Sequence, residues 1–160
     1  MSKAITVDEL MTRTWVSLKP DMDMLQAIQV LLKNKVSGAM VTDDKGELLG
    51  MLSEKDCLRI FVNGAYNSLP NTRVASYMTP IMTTVSPADD LFSVAEIFLK
   101  KPFRRLPVVE NGVLVGQISR RDVLNGSRRL WEGTPAKKEW PDSKYIPDEL
   151  RARLNSKGSA

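Results

Sequence analysis

The chain has 160 residues, which is enough for one compact domain or for two small repeats that share a core. It contains no histidine and a single cysteine, which excludes histidine-based hydrolase or metalloenzyme chemistry and an internal disulfide and argues against a structural zinc site. Carboxylate or lysine chemistry stays open. The net charge of +4 favours an anionic partner or serves solubility alone.

Two features of the sequence predict a cytoplasmic protein that does not enter a membrane. No stretch approaches the roughly 18 apolar residues of a membrane-spanning helix. The first residues, Met1 to Glu9, lack the apolar region of a secretory signal. The lone Cys57 suits a reducing compartment, and we expect it to be an unreactive packing residue.

The sequence repeats itself once. Met11 and Pro20 recur 67 positions later as Met78 and Pro87, and after a one-residue deletion the shift becomes 66. The second shift places Gly46 on Gly112, Gly50 on Gly116, Ser53 on Ser119, Asp56 on Asp122 and Leu58 on Leu124. We therefore predict two repeats, residues 7–62 and 74–130, with a linker of residues 63–73 between them and a tail of residues 131–160.

Each repeat is predicted to begin with a short extended segment and a helix. We expect the helices to begin at Pro20 and Pro87, because proline is favoured at the first helical position. In the second repeat, Ser86 and Asp89 have the spacing of a capping box around that proline. Apolar spacing predicts that the buried helix faces hold Leu25, Ile28, Leu31 and Leu32 in the first repeat and Leu91, Val94, Ala95 and Phe98 in the second.

A β-hairpin and a second helix follow in each repeat. The Asn111-Gly112 turn is the strongest short hairpin signal, because both residues accept a positive φ. The predicted strands are residues 39–42 and 48–52 in the first repeat, and 106–109 and 113–118 in the second. We expect the second helices to begin at Ser53 and Ser119. The order is β-α-β-β-α, twice, and two such units should pack together to cover their sheets and helices.

The residues from Ser127 onward depart from the repeat. They include Trp131, Trp140 and Tyr145, and residues 147–154 predict a short helix. The aromatic side chains indicate that part of the tail docks on its own domain, on a second subunit or on a different partner, and the sequence leaves these three open.

The two units resemble the CBS-domain family, named for cystathionine β-synthase. The second repeat matches more closely, through Leu-Pro-Val-Val at 106–109, Asn-Gly at 111–112 and Gly-Gln-Ile-Ser-Arg-Arg-Asp-Val-Leu at 116–124; the first matches through residues 50–58. The resemblance covers residues 7–130. It implies an α+β fold of two tandem β-α-β-β-α CBS repeats related by a pseudo-twofold axis, with a C-terminal extension.

The resemblance also implies a function. CBS pairs, or Bateman modules, are regulatory ligand sensors that bind AMP, ADP, ATP or another adenosyl ligand, such as S-adenosylmethionine or NAD, in the cleft between the repeats. They usually lack catalytic activity, so we expect no enzyme and no cofactor beyond the regulatory ligand. The family implies a homodimer, and a free-standing module would signal to a partner protein or buffer its ligand.

Two Ser-x-x-Asp pairs are candidates for ligand contacts: Ser53 with Asp56, and Ser119 with Asp122. By resemblance, each carboxylate accepts hydrogen bonds from both ribose hydroxyls and each serine lies near the ribose or phosphate; a carboxylate offers two oxygens to such a diol. The same spacing is that of a helix capping box. The two roles are compatible, because the serine can cap the helix while the aspartate faces the cleft.

Four arginines are candidates for binding phosphate. By resemblance, Arg104 and Arg105, just before the strand that contains Pro107, reach phosphates in the cleft. The first repeat has serine and glycine at these positions, and Arg120 and Arg121 add to the charge of the second repeat. The alternative is an exposed basic face, and the sequence does not say which of two nucleoside pockets Arg105 serves.

The residues before each first helix complete the predicted pockets. By resemblance they line the adenine, with Trp15 or Met82 against the purine, and ordinary packing is the alternative for both. These residues are Thr14, Trp15 and Val16 in the first repeat and Ile81, Met82 and Thr83 in the second.

Two other classes of function compete with this interpretation. A nucleic-acid-binding protein is indicated by the isoelectric point near 9.3 and by four basic pairs, but the pairs are isolated and no recognition motif accompanies them. The pairs are Arg104-Arg105, Arg120-Arg121, Arg128-Arg129 and Lys137-Lys138. An enzyme would need a nucleophile with its base, a phosphate-binding glycine loop or a metal cluster, and the sequence shows none. We therefore expect no nucleic-acid partner and no metal site.

Overall fold

The computed structural model describes residues 4–66, 72–80 and 83–132. In chain order, this part of the molecule contains α1 (Val7–Leu10), β1 (Ser17–Leu18), α2 (Met24–Asn34), β2 (Gly38–Thr42), β3 (Leu48–Ser53), α3 (Glu54–Tyr66), a single 3₁₀ turn (Val74–Ser76), α4 (Leu91–Lys100), β4 (Arg105–Glu110), β5 (Val113–Ser119) and α5 (Arg120–Glu132). The order confirms the predicted mixed α+β fold. None of the described helices is long and apolar enough to cross a membrane.

The strands form two small sheets, one in each repeat. In the first, β2 pairs with β1 in parallel and with β3 antiparallel. In the second, β4 and β5 pair antiparallel, and Val85 makes a parallel bridge to Val108 in the place that β1 occupies in the first. Asn111 and Gly112 have φ angles of 51° and 81°, which confirms the hairpin turn predicted from that dipeptide.

The first residues of each repeat pack on the other repeat. We call residues 5–12 and 72–79 the entry segments. The Val7 amide donates to the Asp89 carbonyl (2.9 Å), and the Leu91 amide donates to the Ile5 carbonyl (3.0 Å). The equivalent bonds, 67 positions along, run from Val74 to Met22 (2.9 Å) and from Met24 to Thr72 (2.6 Å). The exchange is therefore reciprocal, as a pseudo-twofold arrangement requires.

Each repeat has its own hydrophobic core, and each core includes a residue from the other repeat. The first core lies between α2, α3 and the three-stranded sheet and includes the fully buried Val74. The second lies among α4, β4 and β5 and includes the fully buried Val7. Burial of one such side chain contributes about 1.5–3 kcal/mol. Neither core is therefore complete without the neighbouring repeat.

The predicted starts of the first helices were wrong by three or four residues. The side chain of Asp23 accepts from the Leu25 amide and caps α2, and Asp90 caps α4 in the same way. A carboxylate that accepts hydrogen bonds from free helix amides fixes the start more strongly than a preceding proline does. The predicted Ser86–Asp89 box is a turn before the helix, in which the Ser86 amide donates to Asp89 (2.8 Å).

The buried face of α2 also differs from the prediction. Met24, Ala27 and Leu31 are buried, whereas Leu25 and Leu32 are 65% and 71% exposed. The predicted face of α4 is confirmed for its three largest side chains, Leu91, Val94 and Phe98.

The helices overrun the predicted repeat boundaries at two places. Helix α3 continues through Tyr66 into the predicted linker, and α5 includes residues 127–132, where the sequence had indicated the start of the tail. The boundaries themselves stay predictions. Trp140, Tyr145 and the helix predicted at 147–154 lie outside the described residues.

Candidate functional site

A cleft of about 290 Å³ opens between the two repeats, which is close to the lower end of the range of about 300–1,000 Å³ for small-molecule sites. We call it the Arg105 cleft. Arg105 and Gln117 line it from the second repeat. The residues that line it from the first repeat are Thr14, Trp15, Val16, Val36, Gly38, Ala39 and Met40.

One wall of the cleft follows directly from the exchange of entry segments. Thr12 pairs with Gln117 of β5 through two backbone hydrogen bonds (2.8 and 3.0 Å). A few residues later, Ser17 of β1 pairs with Met40 of β2. Residues 14–16 therefore cross from the second repeat to the first, and this crossing carries the half-buried Trp15 into the cleft.

The opposite wall is one face of the β4–β5 hairpin. Alternate residues of a strand share a face, and Arg105 lies opposite Ser119 while Pro107 lies opposite Gln117. Arg105 is exposed and makes no ion pair within the described part of the chain. The cleft therefore presents a free guanidinium group to an anion.

A capping box stands at the Arg105 end of this hairpin. The amide and hydroxyl of Ser119 donate to Asp122 Oδ2 (2.7 and 2.8 Å), and the Asp122 amide donates back to the Ser119 hydroxyl (3.2 Å). Among the described residues, Oδ1 of Asp122 has no hydrogen-bond partner. One carboxylate oxygen thus caps α5, and the other makes no hydrogen bond in the described part of the chain that a ligand would have to displace.

The equivalent box of the first repeat has no open oxygen. Ser53 donates to Asp56 Oδ2 in the same manner (2.9 and 2.8 Å). Oδ1 of Asp56 accepts from Arg59 (3.4 Å) and from the Thr79 hydroxyl (3.3 Å). The Asp56 side chain is only 8% exposed. Both oxygens are therefore occupied within the protein.

Comparison with known proteins identifies the two repeats. The family model described as "CBS domain" matches residues 7–63 and 74–128. The chain belongs to the CBS-domain family.

Two relatives show how far the likeness of this CBS pair extends. The uncharacterized protein MJ1225 of Methanocaldococcus jannaschii is 31% identical over 118 residues, which are 74% of this chain and 41% of that protein. The CBS domain-containing protein CBSX1, chloroplastic, of Arabidopsis thaliana is 28% identical over 157 residues, covering 81% of this chain and 66% of that one. The chain thus spans less than two thirds of the length of these two relatives.

A solved structure gives the most informative likeness. The crystal structure of CBSX2 in complex with AMP matches this CBS pair with a TM-score of 0.70 and 30% identity. The match covers 79% of this chain and 98% of that one. A protein with the same CBS-pair fold has therefore been crystallised with AMP.

The structure brings some of the predicted site residues of this CBS pair together and separates others. Thr14, Trp15, Val16 and Arg105 line the cleft. Arg104, Arg120 and Arg121 are exposed, Pro107 is buried in β4, Thr83 is half-buried, and none of these five lines the cleft. Ser53, Asp56, Ser119 and Asp122 form the two boxes rather than the lining. Ile81 and Met82 lie outside the described residues.

Sequence reasoning missed the residues that the strands themselves contribute: Val36, Gly38, Ala39, Met40 and Gln117. The signal for Gln117 was present, because a hairpin closed at Asn111-Gly112 places it opposite Pro107, on the face of Arg105. Gly38 occupies in the first repeat the position that Arg105 occupies in the second, so the repeat alignment already pointed to it.

The lone cysteine lies near a box but outside the cleft. Cys57 is half-buried and packs against the first core. Burial and the neighbouring Asp56 carboxylate raise the pKa of its thiol, because both disfavour the thiolate. The raised pKa makes a poor nucleophile at neutral pH, in line with the packing role expected from the sequence.

Proposed function

We propose that this CBS pair is a regulatory module that binds an adenine nucleotide in the Arg105 cleft and passes its occupancy to a partner protein. The observation that carries the proposal is that Arg105, which makes no ion pair among the described residues, lines the same cleft of about 290 Å³ as the half-buried Trp15. A nucleotide needs both: an aromatic or apolar surface for the base and a fixed cation for the phosphate. The AMP complex of CBSX2 supports the ligand class.

The proposal gives a role to the residues that line the cleft and to the capping box at the Arg105 end of the hairpin. Trp15 and Val16 contact the purine, and Arg105 binds the phosphate. Asp122 accepts a ribose hydroxyl through Oδ1 while Oδ2 keeps its capping bonds to Ser119. The Gln117 amide, which donates to the Thr14 carbonyl at 3.4 Å, has an oxygen left to bind polar groups of the ligand.

Two measurements test the proposal: which small molecules stay bound to the purified protein, and which ligands raise its melting temperature. We expect mass spectrometry of small molecules released from the purified protein to find an adenine nucleotide. In a thermal-shift panel of AMP, ADP, ATP, NAD, adenosine and S-adenosylmethionine, the adenine nucleotides should raise the melting temperature most, because a ligand that binds only the folded state stabilises it. A panel in which S-adenosylmethionine exceeds AMP, ADP and ATP would contradict a phosphate-binding cleft.

The homodimer implied by the family also stays a proposal. Four leucines are well exposed on helices at two pairs of equivalent positions: Leu32 and Leu99, and Leu58 and Leu124. Exposed apolar side chains that repeat around a pseudo-twofold axis suit a symmetric contact between two copies. Light scattering at micromolar concentration should give twice the mass of the chain, and a monomer would contradict the proposal.

A further inference from the structure

We infer that only one of the two equivalent half-sites takes a nucleotide, so that the chain binds one ligand at the Asp122 side and none at the Asp56 side. The inference rests on the proposed function. It goes further because two CBS repeats offer two equivalent places for a ligand, and nothing in the repeat pattern itself says whether one or both are used.

The first difference between the half-sites is the state of the carboxylate. At the Asp56 side, Arg59 and Thr79 both donate to the oxygen that would have to accept a ribose hydroxyl. The position equivalent to Arg59 in the second repeat is Asn125, and Asp122 has no hydrogen bond from it. A ribose at Asp56 would have to displace two donors from a carboxylate that is already 92% enclosed. At Asp122 Oδ1 it would displace no donor from the described part of the chain.

The second difference lies across the cleft. Arg105 and Gln117 of the second repeat face the residues that precede β1. Their equivalents in the first repeat are Gly38 and Met51, which offer neither a cation nor an amide. The methyl group of Met51 also approaches to 3.0 Å of where a Cβ atom on Gly38 would lie, so the methionine fills the space beside the glycine. These two positions of the first repeat therefore supply neither a cation nor an amide to a phosphate at the Asp56 side.

The two differences act in the same direction and arise from different residues. Asp122, Arg105 and Gln117 belong to one side of the pseudo-twofold axis, and the residues that replace or block their functions belong to the other. The chain should therefore show one class of binding site, with one nucleotide per chain.

The test is isothermal titration of the full chain with AMP, and with ADP and ATP in parallel. We expect one nucleotide per chain. Asp122→Asn should lower the affinity about ten- to a hundred-fold, because a hydrogen bond to a charged group is lost. Asp56→Asn is the matched control: it makes the same chemical change in the same kind of capping box, and we expect the affinity to stay within about threefold.

Each outcome separates the inference from the function on which it rests. Two nucleotides per chain would overturn the inference and leave the proposed function intact. One nucleotide per chain whose binding is lost in Asp56→Asn and kept in Asp122→Asn would also overturn the inference and leave the proposed function intact. No binding of AMP, ADP or ATP would overturn both. The stoichiometry of the unmodified chain decides the question even where a variant folds poorly.

Discussion

The two repeats of this CBS pair share a backbone plan but differ where a ligand would touch them. Their entry segments make equivalent hydrogen bonds, including the pairs Thr12–Gln117 and Thr79–Met51, whose four bonds are 2.8–3.0 Å long. The side chains at equivalent cleft positions have different chemistry, arginine in one repeat and glycine in the other. The comparison teaches that the symmetric fold is maintained by backbone pairing and apolar burial, which leaves the polar positions of each half free to diverge.

The interior shows the same freedom. Ile60 of α3 is buried in the first core, whereas the equivalent residue of α5 is Gly126. A Cβ atom at Gly126 would lie 2.6 Å from a methyl group of Leu10, so the glycine allows α1 to pack closely on α5. Equivalent packing positions in the two repeats are therefore filled by different combinations of large and small side chains.

Of the substitutions that test the difference between the two repeats, Arg105→Ala is expected to have the largest effect. It should lower the affinity for AMP about ten- to a hundred-fold and leave the affinity for adenosine nearly unchanged, because a charged hydrogen bond to phosphate contributes about 1.5–3 kcal/mol. Titration calorimetry with both ligands measures the difference. Arg104→Ala is the control, since Arg104 is exposed and does not line the cleft. Equal losses in the two variants would mean that general positive charge, rather than a specific contact, holds the phosphate.

A smaller effect is expected from two equivalent glycines. A Cβ atom at Gly116 would lie 2.8 Å from the Thr12 carbonyl oxygen, and one at Gly50 would lie 2.8 Å from that of Thr79. Gly116→Ala and Gly50→Ala should each lower the free energy of unfolding by about 1–3 kcal/mol, because a backbone segment has to move. Urea denaturation measures this change.

The same two variants should differ in ligand binding. Gly116→Ala displaces Thr12, which leads into the cleft residues 14–16, so it should also weaken AMP. Gly50→Ala disturbs the other entry segment and should leave the AMP affinity of the folded protein unchanged. If both variants lowered the AMP affinity equally, the two half-sites would not differ, because AMP would then bind at the Asp56 side as well as at the Asp122 side.

The smallest effect is expected from Cys57→Val, which copies the valine found at the equivalent position 123. The free energy of unfolding at neutral pH should change by less than about 1.5 kcal/mol, because the two side chains have similar volume. Burial raises the pKa of the thiol above its ordinary value of 9.0, so the cysteine favours the native state below that pH and this contribution is lost as the pH rises. Above about pH 9, the original protein should lose stability relative to the variant. If the difference in the free energy of unfolding between the two proteins stayed constant from neutral pH to above pH 9, the raised pKa of the Cys57 thiol would be contradicted.

The features that sequence predicted well are local ones. The Asn111-Gly112 turn fixes its hairpin because both residues accept positive φ, and the Ser-x-x-Asp spacing correctly places the start of α5. The helix starts at Asp23 and Asp90 were missed because two local signals, proline and a capping carboxylate, competed within four residues.

The features that sequence missed depend on contacts between distant residues. The pairing of Thr12 with Gln117 joins the two ends of the fold, and no periodicity within one repeat reveals it. The same contact creates the cleft, so its lining was predicted only where a family motif supplied it. The hydrogen bond from Arg59 to Asp56 could have been predicted from the sequence, since the two residues lie three apart on one helix. The bond from Thr79 could not, because Thr79 is distant in the sequence.

The central claim is that the chain binds one adenine nucleotide, in the Arg105 cleft rather than at Asp56. A crystal structure of the protein grown with AMP tests it most directly. We predict one AMP per chain, with the phosphate within hydrogen-bond distance of the Arg105 guanidinium, the purine against Trp15 and a ribose hydroxyl on Asp122 Oδ1. An AMP bound at Asp56, or a nucleotide in both half-sites, would contradict the account.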